Sequence, residues 1–217
     1  MALYAQGKAT GILDADIFGP SIPTLLNLNS EPKIENGLLL PLTNYGLKAM
    51  SMGFLVKKEA AVAWRGLLVQ KALQQLLFEV KWGYLDYLVI DMPPGTGDIQ
   101  LSIAQQLKVD GAVVVTTPQD LALVDAIRGI DMFEKVRIPI LGLVQNMSLF
   151  VCPNCNHISH VFGSNNAVRV AEKRGIDVLS SIPLSEDISL AKQPAALHGA
   201  SSAGYYEDLA KKVIARC

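Results

Sequence analysis

Three aspartates and two cysteines carry the reactive chemistry of this chain. Asp14 and Asp16 stand in "GILDADIFGPS", where an apolar run meets two acids and then a Gly-Pro turn. Asp91 ends the apolar run of "DYLVIDMPPGTGDIQLS". A carboxylate leaving a buried strand suits Mg²⁺, usually held through a water, and a neighbouring acid suits the orientation of an attacking water. The Asp14/Asp16 pair is expected to diverge at the strand exit. Asp16, nearer the loop tip, is assigned the water, and Asp14 the outer shell of the metal. "PPGTGD" supplies a stiff loop in which Gly95 lets a phosphate approach without a Cβ in the way, and Asp98 is expected to cap the helix that follows. An ordinary strand end with a tight, aspartate-rich turn is the structural alternative for both stretches.

The cysteines lie in "VCPNCNHISHVFG". Cys152 and Cys155 form a C-x-x-C on a Pro- and Asn-broken loop directly after an apolar strand. Two thiolates at this spacing chelate Zn²⁺ or one edge of an iron–sulfur cluster, and neither centre is complete with two. His157 and His160 are close enough in sequence to be considered, but the single residue between Cys155 and His157 is too short for a zinc-finger spacing, so both read as surface or hydrogen-bonded residues. The alternative is that a second copy supplies the other two thiolates across a twofold axis. A redox C-x-x-C would open a helix early in its unit, which this one does not. Cys217 stands alone at the terminus and reads as inert.

These groups must be held by a scaffold, and the remaining residues describe one. The 217 residues are 50% hydrophobic and 18% charged, with a net charge of −1, enough for one sizeable α/β core. Short β-branched runs ("GILDA", "LKAMSM", "DYLVIDM", "GAVVVTT", "ILGLVQN", "IDVLSSI") alternate with helical segments at 66–80, 98–107, 119–136, 164–174 and 203–216. Most strands are continuously apolar, as in a parallel sheet covered on both faces. Within 66–80 the expected buried side holds Leu67, Leu68, Ala72, Leu73, Leu76, Leu77 and Val80. Within 119–136 it holds Leu121, Val124, Ile127, Ile130 and Phe133. The expected architecture is a mostly parallel sheet with helices on both faces, in one domain over 1–217 with a cysteine-bearing loop at about 149–163.

Composition narrows the function. A charge this near zero does not favour nucleic-acid binding. No stretch approaches the roughly 20 apolar residues of a membrane span, so stable insertion is not expected. The first residues show neither a secretory signal nor a presequence, and three cysteines suit a reducing compartment.

Taken together, "GILDADIFGPSIPTLL", "MSMGFL", "VAWRGLLVQKALQQLL", "DYLVIDMPPGTGDIQLSIAQ" and "GLVQNMSLFVCPNCNHISHVFG" resemble the Mrp-type iron–sulfur carrier ATPases, and within them the branch serving mitochondrial complex I assembly. The resemblance covers nearly the whole chain. It implies a deviant-Walker P-loop NTPase of the MinD/ParA kind, working as a homodimer that carries a [4Fe–4S] cluster between two C-x-x-C loops and delivers it to apo-proteins such as complex I subunits. Carried over, Cys152 and Cys155 become cluster ligands, Asp91 the Mg²⁺ carboxylate, Asp14 and Asp16 the switch acids, and Asn146 and Pro183 the lining of the adenine pocket. The implied compartment is the mitochondrial matrix, with the cytoplasm as the alternative. One departure stands out. The family's G-K-G-G-x-G-K-[ST] loop and its strand have no counterpart, since Gly7-Lys8 is followed by Ala9 and "MALYAQGKAT" reads as a helix end and its turn. The chain therefore reads as N-terminally truncated, with ATP and Mg²⁺ binding impaired, ATPase activity in doubt, and a central sheet position left open with unpaired edges. Competing readings are a MinD/ParA-like regulatory ATPase, which would want a more basic amphipathic tail than "GYYEDLAKKVIARC", and a non-enzymatic module with a structural zinc on the cysteine loop.

Overall fold

The computed structural model describes residues 1–16, 19–55, 67–189, 194 and 202–217. Ile17, Phe18 and the first residues of the "VAWRGLLVQ" motif lie outside them. The chain divides into two compact units, one comprising Met1–Pro94 and the other most of the chain from Gly95 onward.

In the first unit, α1 (Ala2–Ala5) precedes β1 (Thr10–Asp14), α2 (Ile22–Leu25), the short hairpin β2 (Ile34–Glu35) and β3 (Leu38–Leu39), β4 (Leu42–Asn44), β5 (Leu47–Ser51), α3 (Met52–Leu55), α4 (Leu67–Phe78) and β6 (Tyr87–Asp91). The sheet order is β4-β5-β1-β6, with β1 parallel to both neighbours and β4 antiparallel at one edge. β1 is covered on both sides, so Leu13 and Asp14 are fully buried. One face packs Leu47 and Ala49 of β5 against Ile22, Leu26 and Leu28. The opposite edge strand, β6, has no partner beyond β1 among the described residues, and Leu88 and Val89 are 39% and 41% exposed.

The second unit contains α5 (Asp98–Gln106), β7 (Ala112–Thr116), α6 (Asp120–Lys135), β8 (Ile140–Gln145), the small hairpin β9 (Phe150–Val151) and β10 (Ile158–Ser159), α7 (Asn166–Lys173), β11 (Val178–Ser181), α8 (Glu186–Ser189) and α9 (Ala203–Ile214). Its three-stranded parallel sheet runs β11-β8-β7. Helices cover both faces: Leu143 packs with Leu123 of α6 and Ala167 and Ala171 of α7, while Val144 and Leu179 face Tyr206, Leu209 and Val213 of α9. This double cover explains why β7 and β8 run apolar without alternation up to Thr116 and Gln145 at their ends. β7 is an edge strand among the described residues.

All six strands and five helices expected from the sequence are present, with ends shifted by a residue or two. Their buried faces are another matter. Among the described side chains of α4, Ala72, Leu73 and Leu76 are buried and Leu68 is 55% exposed, while the side chain of Leu67 lies outside them. The helix ends at Phe78, and Val80 instead forms a bridge to Leu39. In α6 the seam is Leu123, Ile130 and Met132, and Leu121 and Val124 point to solvent. Residues 120–135 offer two apolar stripes, and it is the sheet, through Leu143, that selects one. Among the described residues no helix is long and apolar enough to cross a membrane.

Candidate functional site

In the first unit, parallel pairing sets the acids. β1 and β6 are in register with Asp14 opposite Asp91, and the Ala15 amide donates to the Asp91 carbonyl at 3.0 Å, extending the ladder past the strand end. β1 stops at Asp14, so strand alternation does not decide where Asp16 points. The backbone turns, and the Asp16 amide donates to Asp14 Oδ1 at 3.1 Å. Asp16 Oδ1 in turn accepts from the Gly19 amide at 3.1 Å.

Asp14 holds this turn together. Its Oδ2 accepts from the amides of Ser21 and Ile22, both at 3.1 Å, and from Ser51 Oγ at 2.9 Å. It thereby satisfies amides at the start of α2 that the helix cannot satisfy itself. Ser51, fully buried opposite Asp14 in the β5–β1 register, also accepts from the Gly53 amide at 2.9 Å. One buried carboxylate and one buried hydroxyl thus tie the β1 exit, α2 and the start of α3 into a single knot. No role for Ser51 is expected from the sequence alone. Its signal is a polar residue interrupting the apolar "LKAMSM" in the position that pairs with an acid.

Asp91 sits among like charges. Desolvation by surrounding protein is the main cause that lifts its carboxyl above the ordinary range, and repulsion from Asp14 and then Asp16 adds to it. The three acids lie close enough to repel one another, but among the described residues they do not gather as a metal site, and the Asp14 oxygens are already engaged by four protein donors. A raised acid pKa means the fold retains a proton that the unfolded chain has released. Its contribution to stability is therefore present at low pH and is lost as pH rises from the ordinary carboxylate range through the raised value. The Asp91→Asn chain should show a flatter urea-midpoint profile across that window. The difference should stay below about 1 kcal/mol, because the residue remains open to solvent. Identical profiles for the two chains would rule out the repulsion.

In the second unit, Gly95 adopts φ +92°, a conformation that favours glycine, in the loop leading to α5. The N-cap of α5 is Gly97, and Asp98 is the first helical residue rather than the cap expected from the sequence. Asn146 and Pro183 lie on two interleaved segments at the carboxyl ends of β8 and β11. The Ile182 amide donates to the Gln145 carbonyl, the Ser148 amide to the Ile182 carbonyl and the Leu184 amide to the Leu149 carbonyl, at 2.9, 2.9 and 2.8 Å. Asn146 is anchored through its amide to the Thr116 carbonyl at 2.7 Å, and its Oδ1 accepts from Met147, whose φ is +52°.

The same segment runs on into the cysteines. β9 and β10 pair antiparallel, Val151 opposite Ile158 and Phe150 opposite Ser159. The turn between them closes by bonds from the Cys152 amide to the His157 carbonyl, 3.0 Å, and from the Asn156 amide to the Cys152 carbonyl, 2.9 Å, with Asn156 at φ +57°. This folds the backbone around Cys152. The Cys155 amide, then the Asn154 amide, then the Cys155 side chain stabilise its thiolate, and its pKa falls below the ordinary thiol value. Both cysteines are free thiols. Among the described residues no three of His, Cys, Asp or Glu come together as a metal site. The histidines therefore do not complete a centre with the two cysteines. The hairpin escaped the sequence reading because two-residue strands carry no period.

The chain matches known proteins along nearly its whole length. The family model described as "ParA: NUBPL iron-transfer P-loop NTPase" matches residues 1–214. The mouse iron-sulfur cluster transfer protein NUBPL is 49% identical over 222 residues, covering 100% of this chain and 70% of its own length. An Arabidopsis thaliana iron-sulfur protein required for NADH dehydrogenase, mitochondrial, is 51% identical over 210 residues, 94% of this chain and 67% of its own. Among solved structures, a nucleotide-binding protein of Archaeoglobus fulgidus in complex with ADP superposes with a TM-score of 0.75 at 39% identity, covering 88% of this chain and 76% of that one. An α/β scaffold of parallel strands, acids at the β1 and β6 exits, a two-thiol hairpin and whole-length similarity lead to one conclusion: the chain belongs to the ParA-type NUBPL/Mrp family of iron-transfer P-loop NTPases.

Proposed function

We propose that this protein is an iron–sulfur carrier that takes up a [4Fe–4S] cluster as cargo and passes it to apo-proteins, subunits of respiratory complex I foremost, in the mitochondrial matrix. The observation that carries the proposal is the hairpin turn. It presents two thiols, one of them with its pKa lowered by neighbouring amides, and no third ligand beside them among the described residues. Two sulfurs are half of what such a cluster requires, and a second copy of the chain supplies the rest in a homodimer. The names of the mouse and Arabidopsis relatives support cluster transfer and complex I as the destination.

The acids of the first unit extend the reading to nucleotide control. Asp91 would hold Mg²⁺, with Asp14 in its outer shell and Asp16 orienting the water; Gly95 would pass phosphate, and Asn146 with Pro183 would line the adenine. The ion would supply charge neutralisation when bound; among the described residues no three acids gather as a ready-made site for it. The 217 residues contain no G-K-G-G-x-G-K-[ST] loop, so the backbone cradle that provides most phosphate affinity is not encoded in them. Isothermal titration with MgATP should accordingly show binding weaker than about 0.1 mM. A micromolar isotherm would contradict this.

The test of the carrier reading is anaerobic reconstitution with iron and sulfide. A brown dimer with about four irons per two chains is expected. A colourless protein holding stoichiometric zinc would instead favour a structural metal, and a protein that stays monomeric and iron-free while folded would end the proposal.

A further inference from the structure

The cysteine hairpin has two faces. Phe150 and Ser159 occupy one and are half-buried against the rest of the unit. The other carries Val151 and Ile158, cross-strand partners directly beside the cysteine turn, 43% and 55% exposed. An exposed aliphatic pair next to a reactive centre has a cost in water unless something covers it.

The charge pattern indicates what covers it. No Asp, Glu, Lys or Arg occurs between Arg137 and Arg169, in a chain that is 18% charged. A contact with a different protein is commonly selected by opposite charge. A twofold self-contact brings residues near the axis against their own copies, so any charge there meets its like. A hairpin with an apolar pair and no acid, lysine or arginine is compatible with a second copy of itself and has little with which to select a charged partner.

We propose that Val151 and Ile158 form an apolar collar around the cysteines, packing against the same pair of a second copy and excluding water from the cargo. This rests on the carrier reading above and adds to it the surface that joins the two chains. It assigns the hairpin two tasks: sulfur ligation at the turn and self-recognition on the outer face.

The experiment is reconstitution of full-length chains carrying Ile158→Asp, Ile158→Lys, or an equimolar mixture of both, read by iron content and by sedimentation. Each charged chain alone should lose dimer and iron about tenfold, because like charges meet at the axis. The mixture should recover most of the wild-type values, since opposite charges then face one another. Recovery also excludes misfolding of either variant as the cause. If each charged chain alone loads and dimerises as the wild type does, or if mixing restores nothing, the collar is wrong while the carrier reading stands. If the wild type itself neither loads nor dimerises, both fall.

Discussion

Anaerobic reconstitution of the Cys152→Ala chain should give a colourless protein, and Cys155→Ala the same, whereas Cys217→Ala should remain as brown as the wild type. The reasoning is one of ligand number. Each chain offers two thiols on one turn, with no third donor gathered beside them among the described residues. In the proposed dimer, removing one leaves two sulfurs instead of four, and a cluster held by two ligands has no stable coordination. Loss of visible absorption should exceed about tenfold for either variant, with the far-ultraviolet circular dichroism unchanged. Cys152 is the more sensitive probe of the turn itself, since the amides of Cys155 and Asn154 are aimed at its sulfur. Serine there keeps the shape but forms a much poorer ligand, so Cys152→Ser should fail as well. Retention of full colour by Cys152→Ala would remove the hairpin from the site.

The largest effect on stability is expected at Asp14. Alanine there deletes the acceptor for the amides of Asp16, Ser21 and Ile22 and for Ser51 Oγ, in a position with no access to water. Buried donors left without partners cost about 1–3 kcal/mol each before relaxation. The turn can reorganise to recover part of this, so a net loss of roughly 3–5 kcal/mol is expected, a large share of a typical domain's stability. Ser51→Ala removes only one of these bonds and should cost about 1–2 kcal/mol. Because the two side chains are bonded, the double variant should be less unstable than the sum of the singles. Urea denaturation measures all three. An Asp14→Ala chain within 1 kcal/mol of wild type would show that the knot does not organise the turn.

The scaffold was legible because continuous apolar runs and helical periods are local properties. "DYLVIDM" and "GAVVVTT" declared strands, and β6 and β7 lie within those runs, but the cover expected on both faces is not met at β6, whose Leu88 and Val89 are exposed. Which face of a helix is buried depends on the partner. Leu121 and Val124 were as apolar as Leu123, and only packing against Leu143 separates them. The chemical residues were visible for the same local reason, as acids at the ends of apolar runs and cysteines at chelating spacing. The knot between Asp14 and Ser51 was hidden, because it depends on the parallel pairing of strands far apart in sequence. The hairpin at 150–159 was hidden by its brevity.

The interleaving of 145–150 with 182–184 has a mechanical consequence. Peptide bonds joined at three places by hydrogen bonds form a stiff splint, and Leu184 is bridged to Phe150 at its far end. A push delivered to Pro183 is therefore not absorbed by a slack loop. It reaches Phe150, and only Val151 separates that residue from the first sulfur.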